Sequence, residues 1–209
     1  MNRLPSFVLV SILLTSCSSL EQSIDSLYQE VISSSQYTVK ENETLWSIAL
    51  KNNVSPNKLA IRNNLKKPYL IYPGQKLLLN NLESIKLDQN ISPSWKLPTK
   101  SSIRKSYEGN FWLIFNGKIG DPIFAILDGE VVLSGAVLPG YGNFIMIDHG
   151  NEYLSLYAHC DELYIKKGMK VRKGELIASL GSSETNQPKL KFQVRKLGVP
   201  IKISDLNFN

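Results

Sequence analysis

Residues Gly140–Cys160, GYGNFIMIDHGNEYLSLYAHC, decide the architecture of the larger part of the chain. Two apolar runs, NFIMID and EYLSLYAHC, meet through Gly150, which is the pattern of short strands joined by a glycine turn. In the second run a period of two puts Leu154, Leu156, Ala158 and Cys160 on one face and Tyr153, Ser155, Tyr157 and His159 on the other. Working outward, PIFAILDGEVVLSG, KVRKGELIASLG and KLKFQVRK repeat the same texture, broken at Gly129, Gly135, Gly174 and Gly181. The expectation is a mainly antiparallel all-β domain over residues 95–209.

Upstream the texture changes. Residues 36–80 open with a strand-like QYTVK; NETLWSIALKNN then carries Leu45, Ile48 and Ala49 at helical spacing, with Thr44 or Asn42 available as cap. Ser55 and Pro56 begin a second short helix, and Pro73-Gly74 turns the chain into a closing strand, KLLL. The order is β-α-α-β, a small α+β module. Residues 81–94 are polar without a period and read as a linker.

Residues 1–16 hold one charged side chain, Arg3, and an apolar run from Phe7 to Leu14 too short to span a bilayer as a helix, so they read as a cleaved signal segment. Leu14-Thr15-Ser16-Cys17 resembles the lipobox of bacterial lipoproteins, which implies lipidation at Cys17 and a stable anchor in the envelope. Ser18 in place of an aspartate resembles an outer-membrane sorting signal, facing the periplasm, and the serine-rich residues 17–35 read as a spacer. The chain has two cysteines, so lipidation of Cys17 leaves Cys160 without a disulfide partner, as a buried, inert thiol. The net charge is +6, but the lysines are scattered and the chain reads as exported, which disfavours nucleic acid as a partner.

The β-α-α-β unit, YTVKENETLWSIALKNNVSPNKLAIRNNL followed by IYPGQKLLL, resembles a LysM module. That resemblance implies binding of peptidoglycan glycan strands through Glu43, Thr44, Leu45, Asn63, Asn64, Leu70 and Ile71. Two readings of the loop positions stay open, glycan contact or simple helix capping, and Trp46 is expected in the core.

The landmarks DPIFAILDGEVVLSG, GYGNFIMIDHGNEYLSLYAH, GMKVRKGELIASLGS and PKLKFQVRKLGVPIK closely resemble the lysostaphin-type zinc endopeptidase, or LytM, domain, with its duplicated-hybrid-motif-like fold. A catalytic zinc takes about three protein ligands and an open position. In the active members of that family they come from an early His-x-x-x-Asp and a late His-x-His. Here Phe115 stands near the first histidine's place, and Lys189-Leu190-Lys191 replaces the late pair. A protonated ammonium has no lone pair to give a metal. Asp121 sits at the turn after the early motif and reads as a turn residue. Only two histidines exist, His149 beside a turn and His159 in Tyr-Ala-His, so no cofactor and no catalytic residue are expected.

Lipobox, LysM and ligand-less LytM together resemble the NlpD-like murein hydrolase activators. In that group the emptied groove engages a periplasmic N-acetylmuramoyl-L-alanine amidase and displaces an inhibitory helix. The corresponding groove would comprise Phe115, Tyr157, His159, Lys189, Lys191 and Gln193, with Tyr153 as a further apolar contact. The row Lys189, Lys191 also reads as an ordinary solvated strand face. The alternatives are a zinc metalloendopeptidase with a displaced site built from His149, His159 and Asp148 or Asp161, and a structural wall-binding lipoprotein.

Overall fold

The computed structural model describes residues 36–79, 93–99, 105–108 and 111–209. The signal segment, Cys17, the spacer and most of the linker lie outside the described residues.

The N-terminal module pairs β1 (Gln36–Thr38) with β2 (Lys76–Leu78) antiparallel and sets α1 (Leu45–Lys51) and α2 (Pro56–Arg62) against them. Thr44 caps α1: its hydroxyl accepts from Ser47 N while Thr44 N donates to Ser47 Oγ, so two otherwise orphaned donors are satisfied. Ser55 caps α2 through Lys58 N, with Pro56 where a missing N–H costs nothing. Val39, Leu45, Ile48, Ala49, Leu59, Ala60 and Leu77 close the module's core.

The C-terminal domain consists of β3 (Lys105–Glu108), β4 (Trp112–Asn116), β5 (Pro122–Phe124), β6 (Gly129–Gly135), β7 (Asn143–Asp148), β8 (Tyr153–Leu163), β9 (Lys170–Val171), β10 (Leu176–Leu180), β11 (Lys189–Lys196) and β12 (Val199–Pro200). The principal sheet runs β3-β4-β11-β8-β7-β6-β9, all antiparallel, while β10 pairs with β5 and β8. Two of the expected strands, PIFAILDGEVVLSG and KVRKGELIASLG, each divide in two, because Asp128 and Arg172 to Glu175 form turns.

One face of the sheet carries Phe115, Tyr153, Tyr157, Leu190, Phe192 and Val194 and packs on Trp95, Ile123 and Ile177 as the main core. The other carries Phe144, Met146, Leu154, Leu156 and Ala158, and is covered by a second cluster that takes in Trp46, Leu50 and Tyr69 of the N-terminal module. Trp46 is therefore buried, as expected, but between the two units and not in the core of its own.

The period of two in β8 breaks at its C-terminal end. His159 has φ of 65°, and the register to β7 shifts there, with Tyr157 opposite Ile145 and Cys160 opposite Asn143. This bulge inserts one residue and reverses the facing of the residues beyond it. Cys160 thus joins the main core, opposite to Leu154, Leu156 and Ala158, correcting the strict alternation expected from sequence. Burial raises its thiol to about 12.

Candidate functional site

Strand β11 places Lys189, Lys191, Gln193 and Arg195 on one face, since Leu190, Phe192 and Val194 fill the core on the other. Opposite them across β4 stand Asn116, next to Lys189, and Ile114, next to Lys191. Across β8, Lys191 faces Ala158, Gln193 faces Leu156 and Arg195 faces Leu154. The ammonium of Lys191 lies 4.8 Å from the centre of the Trp112 ring, whose other neighbour is Tyr141 at 5.8 Å. The bulge turns His159 onto this side. Its Nδ1 bonds Ser183 O at 2.8 Å, and burial, with Lys189 and Lys191 adding to it, holds its pKa below the ordinary histidine value. The result is a basic, aromatic-lined face.

At its far end the face is closed. Gln193 is 2% and Arg195 4% exposed. Arg195 donates to Gly198 O from Nε at 3.1 Å and from Nη2 at 2.7 Å, to Gln193 Oε1 at 2.8 Å, and to Asn53 Oδ1 of the N-terminal module. Burial pulls the guanidinium down to about 10, which still leaves it charged at neutral pH. A cavity of about 400 Å³ opens beside it, lined by Leu50, Lys51 and Asn53 from one unit and by Trp112, Tyr141 and Arg195 from the other.

Three residues expected in or beside the groove are not there. Phe115 pairs with Leu190 and turns into the core, its ring 6.5 Å from Phe192 in a T-shaped contact; the groove positions of β4 are Trp112, Ile114 and Asn116. Tyr157 is fully buried on the core side, 5.2 Å from Phe192, and its hydroxyl accepts from Ile126 N at 3.1 Å. Tyr153 faces the same way and packs on Trp95 at 5.2 Å. The sequence signal missed was Arg195, which continues the row of Lys189, Lys191 and Gln193 by the same period of two.

His149 bonds Asp128 O through Nδ1 and Ser155 Oγ through Nε2, both at 2.7 Å. A consistent assignment puts the proton on Nδ1, with Ser155 donating to Nε2 and Tyr157 to Ser155. Burial lowers its pKa from 6.5 to about 4. This ring belongs to a core network. It bonds Ser155 on the core face, while His159 lies four residues further along β8 on the groove face, roughly 13 Å of strand away. The displaced metal site drawn from both histidines is therefore not assembled.

In the N-terminal module, Leu45 is buried in the core, and the Asn63 amide is engaged by Leu59 O, Leu78 O and Leu78 N, tying α2 to β2. Their side chains are withdrawn from the expected glycan surface. Thr44 caps α1, and Glu43 binds the Tyr37 hydroxyl at 2.7 Å and Lys51 at 2.8 Å. Asn64 and Leu70 are exposed, Leu70 at 63%, and Ile71 is half-buried.

Comparison with known proteins accords with this architecture. Residues 113–203 match peptidase family M23 and residues 37–80 the LysM domain. The chain is 32% identical over 216 residues to the uncharacterized lipoprotein YgeR of Escherichia coli, covering 89% of this chain and 84% of YgeR. It is 26% identical over 225 residues to the lipoprotein NlpD/LppB homolog of Pseudomonas aeruginosa, covering 81% of this chain and 76% of that protein. The chain belongs to the NlpD-like LytM-domain lipoproteins. The murein hydrolase activator NlpD of Escherichia coli is 37% identical over 109 residues, which cover 50% of this chain but only 29% of NlpD. An M23-family structure from Pseudomonas aeruginosa, 22% identical, covers 54% of this chain and 49% of its own with a TM-score of 0.50, a likeness of fold.

The zinc of LytM peptidases does not fit the residues on this LytM face. Where the resemblance expects the late ligand pair stand the ammonium groups of Lys189 and Lys191, the β4 positions opposite them are Asn116 and Ile114, and His159 is the one imidazole nearby. Among the described residues no three His, Cys, Asp or Glu side chains group as a metal site.

Proposed function

We propose that this protein activates a cell-wall N-acetylmuramoyl-L-alanine amidase during cell separation, through a LytM groove that binds without cutting. The observation that carries the reading is the basic row Lys189 and Lys191, with His159 and Trp112 beside it, on the strand that the resemblance to LytM peptidases makes the metal strand. Such a face can pair with carboxylates or carbonyls of a partner helix, and its aromatic rings add apolar contact. A ligand that binds the open amidase better than the closed one shifts the amidase towards its active form. The name of the relative NlpD, a murein hydrolase activator, supports the same reading.

The LysM module would hold the protein on peptidoglycan glycan strands through the exposed Asn64 and Leu70 with Ile71, and a lipid on Cys17 would tether it to the outer membrane, facing the periplasm. The doubly substituted chain Lys189→Glu/Lys191→Glu, assayed for dye release from labelled peptidoglycan by the host's amidases, is expected to lose most of its activation. Full activation by that variant would remove the groove from the mechanism, and cleavage of peptidoglycan by the protein alone would overturn the non-catalytic reading.

A further inference from the structure

The LysM module occupies one end of the LytM groove. Trp46, 7% exposed, belongs to the buried cluster of Val132, Leu133, Phe144, Met146 and Leu156 in the LytM domain, not to the LysM core. Polar contacts flank this anchor on two sides. Glu152 accepts from the Ser55 hydroxyl and, at 3.3 Å, from Asn57 Nδ2, while Asn53 accepts from Arg195. The backbones also meet. A Cβ on Gly198 would run into the Val54 carbonyl and Ser55 N, and Gly198 has φ of 83°, so only glycine lets the two units close to this distance.

We propose that the LysM module is a resident cover of the groove, which must undock before a partner can reach Gln193 and Arg195. The proposal rests on the amidase reading above. The chemistry is that of a reversible contact: one aromatic anchor, a few neutral-to-charged hydrogen bonds that water can replace, and no ion pair across it among the described residues. In the docked state the Arg195 guanidinium is engaged by Asn53, Gln193 and Gly198, and its charge is held without a carboxylate among its hydrogen-bond partners. A partner's carboxylate would satisfy it better than the Asn53 amide does. Partner binding and LysM docking therefore compete for the same side chain.

Population arithmetic sets the scale. A docked-to-undocked ratio of about ten to one weakens apparent partner affinity by about tenfold, and a change that abolishes docking restores it. The full chain is compared with Glu152→Lys and, independently, Trp46→Ser, neither of which alters Lys189, Lys191, Gln193 or Arg195. The first readout needs no amidase: the rate at which phenylglyoxal modifies Arg195, followed by mass spectrometry, with circular dichroism to verify the fold. The second is amidase activation at sub-saturating protein. The expected result is modification of Arg195 about tenfold faster in both variants, with activation raised by a similar factor. Unchanged modification in two folded variants overturns the cover, as does faster modification where the parent chain activates an amidase and the variants activate it no better. If Arg195 is released and neither parent nor variants activate any amidase, the cover stands on its modification rate and the amidase reading falls.

Discussion

Strands β8 and β11 present two faces that share one backbone and differ in what each demands. On the core face Tyr157, Leu190, Phe192 and Val194 are fully buried, and the Tyr157 hydroxyl is held in a chain of hydrogen bonds from His149 through Ser155 to Ile126 N. On the groove face β11 carries Lys189, Lys191, Gln193 and Arg195, while β8 carries Leu154, Leu156 and Ala158 in a second cluster to which the LysM module adds Trp46. The core face is determined by packing density, which tolerates little change in volume. On the groove face only Lys189 and Lys191, which are half-buried, escape that constraint, so those two can be set by what they bind.

The contrast can be broken most sharply at Phe192. Phe192→Ala removes a ring packed on Phe115, Tyr157 and Phe208 and is expected to destabilise the domain by about 3–5 kcal/mol in urea unfolding. A smaller effect attaches to His149. Its folded pKa near 4 lies below its ordinary 6.5, so the unfolded chain binds the proton first; the contribution is whole above pH 6.5 and is lost as pH falls towards 4. The loss amounts to about 2–3 kcal/mol, read as unfolding free energy against pH, and His149→Gln should flatten the curve in that window. On the opposite face Lys191→Ala removes a cation over Trp112 and should cost only about 0.5–1 kcal/mol while reducing amidase activation. Smallest of all, addition of zinc or of a chelator should leave the thermal midpoint unchanged; a stabilisation by zinc would mean ligands that the groove row does not supply.

Helix starts were legible because they rest on neighbours in sequence: Thr44, Ser55 and Pro56 act within one turn of their own position. Most strand faces were legible for the same reason, since alternation is a local rule. The groove row of β11 came from it directly, and Arg195 was there to be read by extending the row. Phe115 was misplaced because its position was carried over from a motif whose spacing this chain does not keep, and the pairing of Phe115 with Leu190 corrects it by one residue. Tyr157 was placed correctly in the alternation but assigned to the wrong side of the sheet. Alternation separates two faces without saying which is core.

By itself, then, the sequence determined the two modules and their order, and it put Lys189 and Lys191, whose ammonium groups have no lone pair for a metal, on one face of a strand. Tertiary structure alone decided three things. The bulge at His159 turned that imidazole towards Lys189 and Lys191, because one extra residue reverses every side chain beyond it. Which face became the core was settled by what packs behind it, Trp95 and the β5–β10 pair on one side and the LysM module on the other. And Trp46, apolar and helical by local pattern, became the anchor between the modules, because burial depends on a partner surface more than a hundred residues away in the chain, on β8.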